Sequence, residues 1–209
     1  FFSQGLIDLY EASFDTQYLR AAMELIDLSL IHFEDDQKGG FFLTADDGEK
    51  LLIRAKEIYD GAIPSGNSVM ALNLLRLHKM TGKEKYQIAA EKLFSAFSGF
   101  LEKSPQGAEV LLQALDFALA PAKEIVVVGK PETENTERLL REINQRFLPA
   151  KVLLFRSVTD KSEEILNFAP FLKNHKLVDY KAAVYVCENQ TCQQPVTDPK
   201  KLGDILDKQ

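Results

Sequence analysis

The amino-acid sequence predicts a mainly α-helical fold in which helical hairpins form part of an (α/α) toroid, followed by a small α/β lobe. A repeated helical pattern in the first half of the chain indicates the hairpins. A continuous run of β-branched residues in the second half indicates the lobe, because strands buried on both faces have this composition. The length of 209 residues is enough for one or two domains with a buried core.

The repeat relates two segments that are offset by 68 residues. The repeated positions are Leu6, Leu9, Tyr18, Ala21, Ala22 and Leu25 in the first copy, and Leu74, Leu77, Tyr86, Ala89, Ala90 and Leu93 in the second. Each copy predicts the end of one helix, a tight turn and a second helix, with Asp15 as an N-cap and Gly82 at a helix C-terminus. Because one such hairpin cannot bury its apolar face alone, we expect an array or toroid of hairpins.

Residues 1–120 are therefore predicted to form a helical domain, with a last helix at about 108–120. A β-hairpin insertion is expected near residues 39–54, because a Gly-Gly pair precedes an apolar run and Asp46-Asp47-Gly48 is a turn signal. Residues 121–209 are predicted to form the small α/β lobe. Its pattern of strand, helix and strand between residues 124 and 156 predicts a parallel βαβ unit, and Asp198 is expected to cap a final helix.

The segment from Arg54 to Asn67 is the best candidate for a functional site, because it concentrates charged, aromatic and turn-forming residues before a helix. Glu57 and Asp60 flank an aromatic residue, and two carboxylates beside a ring are what sugar chemistry requires. The candidate catalytic residues are thus Glu57 and Asp60, and the candidate substrate-binding residues are Arg54, Lys56, Tyr59, Ser65, Asn67 and Phe42. A purely structural role, as turn, helix cap and ion pair, remains the alternative.

Composition and charge narrow the classes of partner. The net charge of −6 argues against nucleic-acid binding, and the absence of an apolar stretch of about 18 residues argues against a membrane partner. The chain lacks the glycine-rich loops that hold nucleotides, so we expect no cofactor. No signal sequence is recognisable, and we expect a cytoplasmic location.

The two cysteines, Cys187 and Cys192, leave three interpretations open. They are reduced thiols, a local disulfide, or a redox or metal-binding pair. Two sulfurs cannot complete a tetrahedral zinc site, and none of the three histidines shows ligand spacing in the sequence, so no metal site is predicted. Their spacing also differs from the C-x-x-C of thioredoxin-type motifs.

Several motifs together resemble one known family. They lie at residues 39–42, 54–57, 60–68, 72–77, 115–117, 185–192 and 195–199. In these motifs the chain resembles the YyaL-like, spermatogenesis-associated protein 20 family over essentially its whole length. The resemblance implies a longer polypeptide with an N-terminal thioredoxin-like domain and a helical region similar to N-acylglucosamine 2-epimerases and six-hairpin glycosidases. This chain is then expected to correspond to the C-terminal part of such a polypeptide, without the thioredoxin-like domain or the first hairpins.

Two functions follow as expectations. In the first, the chain belongs to a sugar isomerase, epimerase or glycosidase relative and acts on or binds carbohydrate. In the second, it is a non-catalytic module that binds a ligand or a protein and supports a redox-type thioredoxin-like domain. The expected partners are a carbohydrate, the remainder of the full-length chain, and a second copy that covers the face containing Phe2, Leu6 and Leu9.

Overall fold

The structure is a computed structural model, and it describes residues 1–159, 163–188 and 191–207. The chain divides into two compact units, Phe1–Ala120 and Pro121–Gln209. Of the residues in the predicted motif at 185–192, Asn189 and Gln190 lie outside the described part of the chain.

The first unit contains helices α1 to α5. They are α1 (Phe2–Ser13), α2 (Thr16–His32), α3 (Gly66–Thr81), α4 (Glu84–Lys103) and α5 (Glu109–Leu119). Helix α1 packs against α2, and α3 packs against both α4 and α5. The core between them is closed by large apolar side chains that are fully buried: Tyr10, Leu19, Ile26, Leu74, Leu77, Tyr86, Leu93 and Leu111.

Helix ends in this unit follow local chemistry. The Asp15 carboxylate accepts the N–H of Gln17 at the start of α2, and Ser65 accepts the N–H of Ser68 at the start of α3. Gly82 ends α3 with a φ of 71°, a left-handed conformation that glycine adopts without steric cost. The predicted caps at Asp15 and Gly82 are therefore confirmed.

The second unit is built on a sheet. Its elements are β1 (Lys123–Gly129), α6 (Glu134–Asn144), β2 (Lys151–Ser157), α7 (Glu163–Phe168), β3 (Ala183–Glu188), β4 (Thr191–Cys192) and α8 (Pro199–Leu206). Within the described residues the four strands have the order β2-β1-β3-β4. Strand β1 pairs in parallel with β2 and antiparallel with β3, while β4 pairs antiparallel with β3. The parallel pairing expected for the βαβ unit is confirmed, and Asp198 caps α8 by accepting the N–H of Lys201.

The prediction of a mainly α-helical chain with a partial (α/α) toroid is wrong. Helices make up 54% of the described residues, and the four-stranded mixed sheet found in that same part of the chain makes the fold a mixed α/β fold. The repeated positions lie on helices, and those of the second copy are all buried, whereas Leu9 of the first copy is 49% exposed. Apolar stripes of this kind occur on any helix that packs against another element. The valine-rich strand β1 is buried along most of its length and organises the second unit around a sheet.

The β-hairpin expected near residues 39–54 is also not formed. Within the described chain, the β pairing of this region is an isolated bridge between Glu34 and Phe41. Gly39 and Gly40 both have a positive φ and bend the chain there, at 73° and 74°. Leu52 and Ile53 are strongly exposed, so the expected second strand has no buried face to drive its pairing.

Candidate functional site

The segment between α2 and α3, residues 33–65, has little regular secondary structure. Side chains that bond to backbone groups hold it in place instead of a strand ladder. The residues predicted to be catalytic or substrate-binding all lie in this segment except Asn67, which lies in the first turn of α3. A side chain whose polar atoms already bond to the protein is less available to a ligand than one whose polar atoms face solvent.

Both carboxylate oxygens of Asp60 accept hydrogen bonds from the backbone. Its side chain is 6% exposed. Its Oδ1 accepts the N–H of Ser65 at 2.7 Å, and its Oδ2 accepts the N–H of Val110 at 2.8 Å. Its own N–H donates to the carbonyl of Gly107 at 2.8 Å. Asp60 thus ties the loop before α3 to the start of α5, and each of its carboxylate oxygens already accepts a backbone N–H.

Asn67 has a comparable role at the other side of the loop. It is 2% exposed, and its Oδ1 accepts the N–H of Phe41 at 2.7 Å. Its Nδ2 donates to the carbonyls of Phe41 and Glu57, at 2.9 and 2.7 Å. These bonds satisfy buried backbone groups of an irregular segment that has no strand partner for them.

The two predicted cationic residues also contact the protein itself. Lys56 donates to the carboxylate of Asp35 at 2.7 Å and to the carbonyl of Gly39 at 2.8 Å. The hydrogen bond from Lys56 holds the pKa of Asp35 below its usual value. Arg54 donates to backbone carbonyls at 2.6 and 3.0 Å, and its guanidinium carbon lies 4.1 Å from the centre of the Phe42 ring. A cation over an aromatic face is a favourable contact, so Phe42 holds Arg54 rather than presenting an open ring.

Glu57 and Tyr59 differ from these residues because both are exposed. The Tyr59 side chain is 61% exposed, although one side of its ring lies against Gly107, where an added Cβ would approach the ring to 3.0 Å. Ile58 between them is buried, so the two exposed side chains flank a residue that anchors the backbone. They offer an aromatic surface and a carboxylate two residues apart.

The same segment also presents several large apolar side chains to solvent. We call residues 51–63 the exposed segment for these side chains, although Ile58 and Asp60 within it are buried. Leu52 is 105% exposed, Ile53 is 81% exposed and Ile63 is 71% exposed, and Leu51 and Tyr59 add further apolar surface. Exposed apolar side chains typically mark a contact surface where they form a contiguous patch.

Glu57 and Asp60, the predicted general acid and base, lie in different environments. One carboxylate is exposed, whereas the other is buried with both oxygens accepting backbone N–H bonds. Retaining and inverting sugar hydrolysis both require two carboxyl groups that face one substrate. The predicted residues therefore form a well-fixed loop with an exposed surface.

In the part of the chain that the structure describes, two clusters contain side chains of the types that bind metals. One is His32 with Asp46 and Asp47 in the first unit, and the other is His175 with Cys187 and Cys192 in the second; in each, the ligand-type atoms lie within 4.8 Å of one another. A hydrogen bond with Asp46, at 2.9 Å, raises the pKa of His32 and lowers the pKa of Asp46. Sequence spacing missed both clusters because their histidines are distant along the chain from their neighbours in space.

The cysteine pair forms a disulfide in the structure, joining β3 to β4. Of the three interpretations left open by the sequence, the structure therefore shows the local disulfide. Burial lowers the pKa of His175 beside it, the charge of Arg156 lowers it further, and a hydrogen bond with the backbone of Phe171 opposes them.

These features define a class of protein: a mixed α/β chain of two compact units, with a rigidly held loop that presents an exposed apolar segment. None of the helices that the structure describes is both long and apolar enough to cross a membrane. No family model matches the chain.

The chain is 38% identical over 207 residues to spermatogenesis-associated protein 20 of Rattus norvegicus. It is 37% identical to the proteins of the same name from Mus musculus and Homo sapiens. Each alignment covers 99% of this chain but 26% of the relative, so the chain spans about a quarter of the length of these relatives. The homologues support the resemblance to the spermatogenesis-associated protein 20 family.

Proposed function

We propose that the chain is a non-catalytic binding module whose exposed segment packs against another polypeptide. The observation that carries the proposal is that one loop contains both buried, hydrogen-bonded polar side chains and exposed apolar side chains. Asp60 and Asn67 form hydrogen bonds to backbone groups and fix the loop, whereas the side chains of Leu52 and Ile53 are exposed to solvent. Apolar side chains that remain exposed beside a loop fixed by buried hydrogen bonds are suited to binding a partner.

The proposed partner is the rest of a longer polypeptide of the kind found in the relatives. Three quarters of each relative lies outside the aligned part, so a large neighbouring surface exists in those proteins. The resemblance to the family implies that this neighbour includes a thioredoxin-like domain of redox type. A cytoplasmic location is part of the same proposal.

The test uses the rat relative with its aligned region deleted, and measures its binding to this chain by calorimetry. We expect the double substitution of Leu52 and Ile53 by Ser to weaken binding by about 100-fold, at roughly 1.5 kcal/mol for each apolar side chain. Leu119→Ser is the matched control, because Leu119 is 78% exposed in the same unit but outside the segment. Equal affinity for the double variant and the control would overturn the proposal, as would the absence of binding to the unaltered chain.

A carbohydrate ligand is the second candidate, and the exposed Tyr59 ring beside the Glu57 carboxylate is the observation that favours it. The test is a thermal-shift screen with mono- and disaccharides and their phosphates. A sugar present at 100 times its Kd stabilises the folded state by about 2.7 kcal/mol. We expect a true ligand to lose this effect in Tyr59→Ala and to keep it in Tyr180→Ala, whose ring is fully exposed in the other unit. A glycosidase mechanism would also require a second carboxylate beside Glu57 that faces the same substrate.

A further inference from the structure

The disulfide between Cys187 and Cys192 lies at the edge of the sheet in the second unit. The two residues are directly opposite each other in the antiparallel pair of β3 and β4. Cys187 is 5% exposed, whereas Cys192 is exposed. The bridge therefore joins a buried residue to an exposed residue at the edge of the sheet.

His175 is the third member of this cluster. One of its ring nitrogens lies within 4.8 Å of both sulfurs. Its Nδ1 is buried, and no hydrogen bond of normal length and angle reaches that atom from the residues that the structure describes. A buried polar atom without a partner is costly, and such atoms call for an explanation in structural or functional terms. A metal ion bound by the imidazole would explain this buried nitrogen.

Neighbouring strands fix the backbone that carries His175. The Arg156 guanidinium, on β2, donates to the carbonyls of Leu172, Lys173 and His175. The Tyr185 hydroxyl, on β3, donates to the carbonyl of Lys176 at 2.9 Å and accepts its N–H at 3.1 Å. The His175 ring also meets the Tyr185 ring edge to face, with centres 4.6 Å apart. The imidazole is thus held beside the sulfurs by two strands of the same sheet.

We propose that Cys187, Cys192 and His175 form a site for a soft divalent cation such as Zn²⁺ once the disulfide is reduced. Two thiolates and an imidazole are the ligands that zinc prefers, and three protein ligands leave a fourth position for water or another donor. At a Zn–S length of about 2.3 Å, two sulfurs on one tetrahedral ion lie roughly 3.8 Å apart. In the structure the imidazole nitrogen and the two sulfurs already lie within 4.8 Å of one another, which is close to the separations that such a site needs.

The bridge and the metal exclude each other, because each requires the same two sulfurs. Reduction breaks the S–S bond and adds two electrons and two protons, which a dithiol supplies as it becomes a disulfide. Binding of Zn²⁺ then releases the two thiol protons and forms two Zn–S bonds. The cluster would therefore bind metal only in the reduced state.

The test titrates the 209-residue chain with Co²⁺, whose absorption reports thiolate ligands, before and after reduction by a phosphine under anaerobic conditions. The phosphine attacks a sulfur of the bridge and, with one water molecule, ends as a phosphine oxide while two thiols are released. We expect the oxidised chain to show no thiolate-to-cobalt absorption and the reduced chain to bind one ion. Zn²⁺ added afterwards should displace the cobalt.

His175→Gln should retain both thiols and weaken binding by about 10- to 100-fold, and Cys192→Ser should abolish the thiolate absorption of a two-sulfur site. His32→Gln is the matched control, because it removes the histidine of the other cluster. Circular dichroism shows whether each variant is folded. Equal cobalt affinity in His175→Gln and His32→Gln would overturn the proposal. So would a reduced, folded chain that binds no cobalt, or a bridge that releases no thiols with excess phosphine.

Discussion

The two backbone bonds that Asp60 accepts lead to a sharp prediction for Asp60→Asn. The substitution keeps the size of the side chain but replaces one acceptor oxygen with an NH₂ donor. That donor must face the N–H of either Ser65 or Val110, which the carboxylate now accepts at 2.7 and 2.8 Å. One hydrogen bond to a charged group is lost, at about 1.5–3 kcal/mol, and a buried N–H is left without a partner. We expect a total cost of about 2–4 kcal/mol.

The assay is urea and thermal unfolding followed by the helical circular-dichroism signal. At about 4 °C for each kcal/mol, the midpoint of the first unit should fall by roughly 8–16 °C. Glu57→Gln is the matched control, since it changes an exposed carboxylate in the same loop and should alter stability by less than about 0.5 kcal/mol. If Asp60→Asn is as stable as Glu57→Gln, the structural role of Asp60 is refuted and an acid–base role regains support.

Three further predictions concern the first unit. Asn67→Ala leaves three buried backbone groups without their bonds, and should lower the free energy of unfolding by about 3–5 kcal/mol in urea titrations; a loss below about 1 kcal/mol would contradict this. Gly39→Ala should lower the thermal midpoint or prevent folding, because φ is 73° there and the new Cβ would lie 2.4 Å from the carbonyl oxygen of Lys92; an unchanged midpoint would show that the turn is not strained. The raised pKa of His32 means that its pairing with Asp46 stabilises the fold fully below about pH 6.5 and is lost as pH rises through the raised folded-state pKa. Urea titrations between pH 5.5 and 8.5 should show this decline in the unaltered chain and a smaller one in Asp46→Asn.

Local signals in the sequence predicted local structure well. Asp15, Gly82 and Asp198 act within a few residues of their own positions, so their chemistry is readable from the chain alone. The parallel strands β1 and β2 were also predictable, because they enclose a short helix that constrains their direction.

The remaining features depend on residues that are distant in sequence. The Asp60 carboxylate accepts the backbone N–H of Val110, fifty positions away, and no spacing rule in the sequence predicts this hydrogen bond. His175 reaches the cysteine pair only because β2 and β3 hold its loop. The toroid prediction failed for a related reason: a helical stripe specifies what is buried but not which element covers it.

The central position of β1 has a consequence for how the chain is made. Its antiparallel partner, β3, is far away along the sequence, and the nearest paired residues, Val128 and Ala183, are 55 positions apart. During synthesis β1 and β2 are able to pair first, while the other edge of β1 stays open until residues 183–188 leave the ribosome. A valine-rich strand with an open edge is prone to join other chains. Slower elongation before residue 183, or the loss of a chaperone that shields such strands, should therefore lower the yield of the second unit more than that of the first.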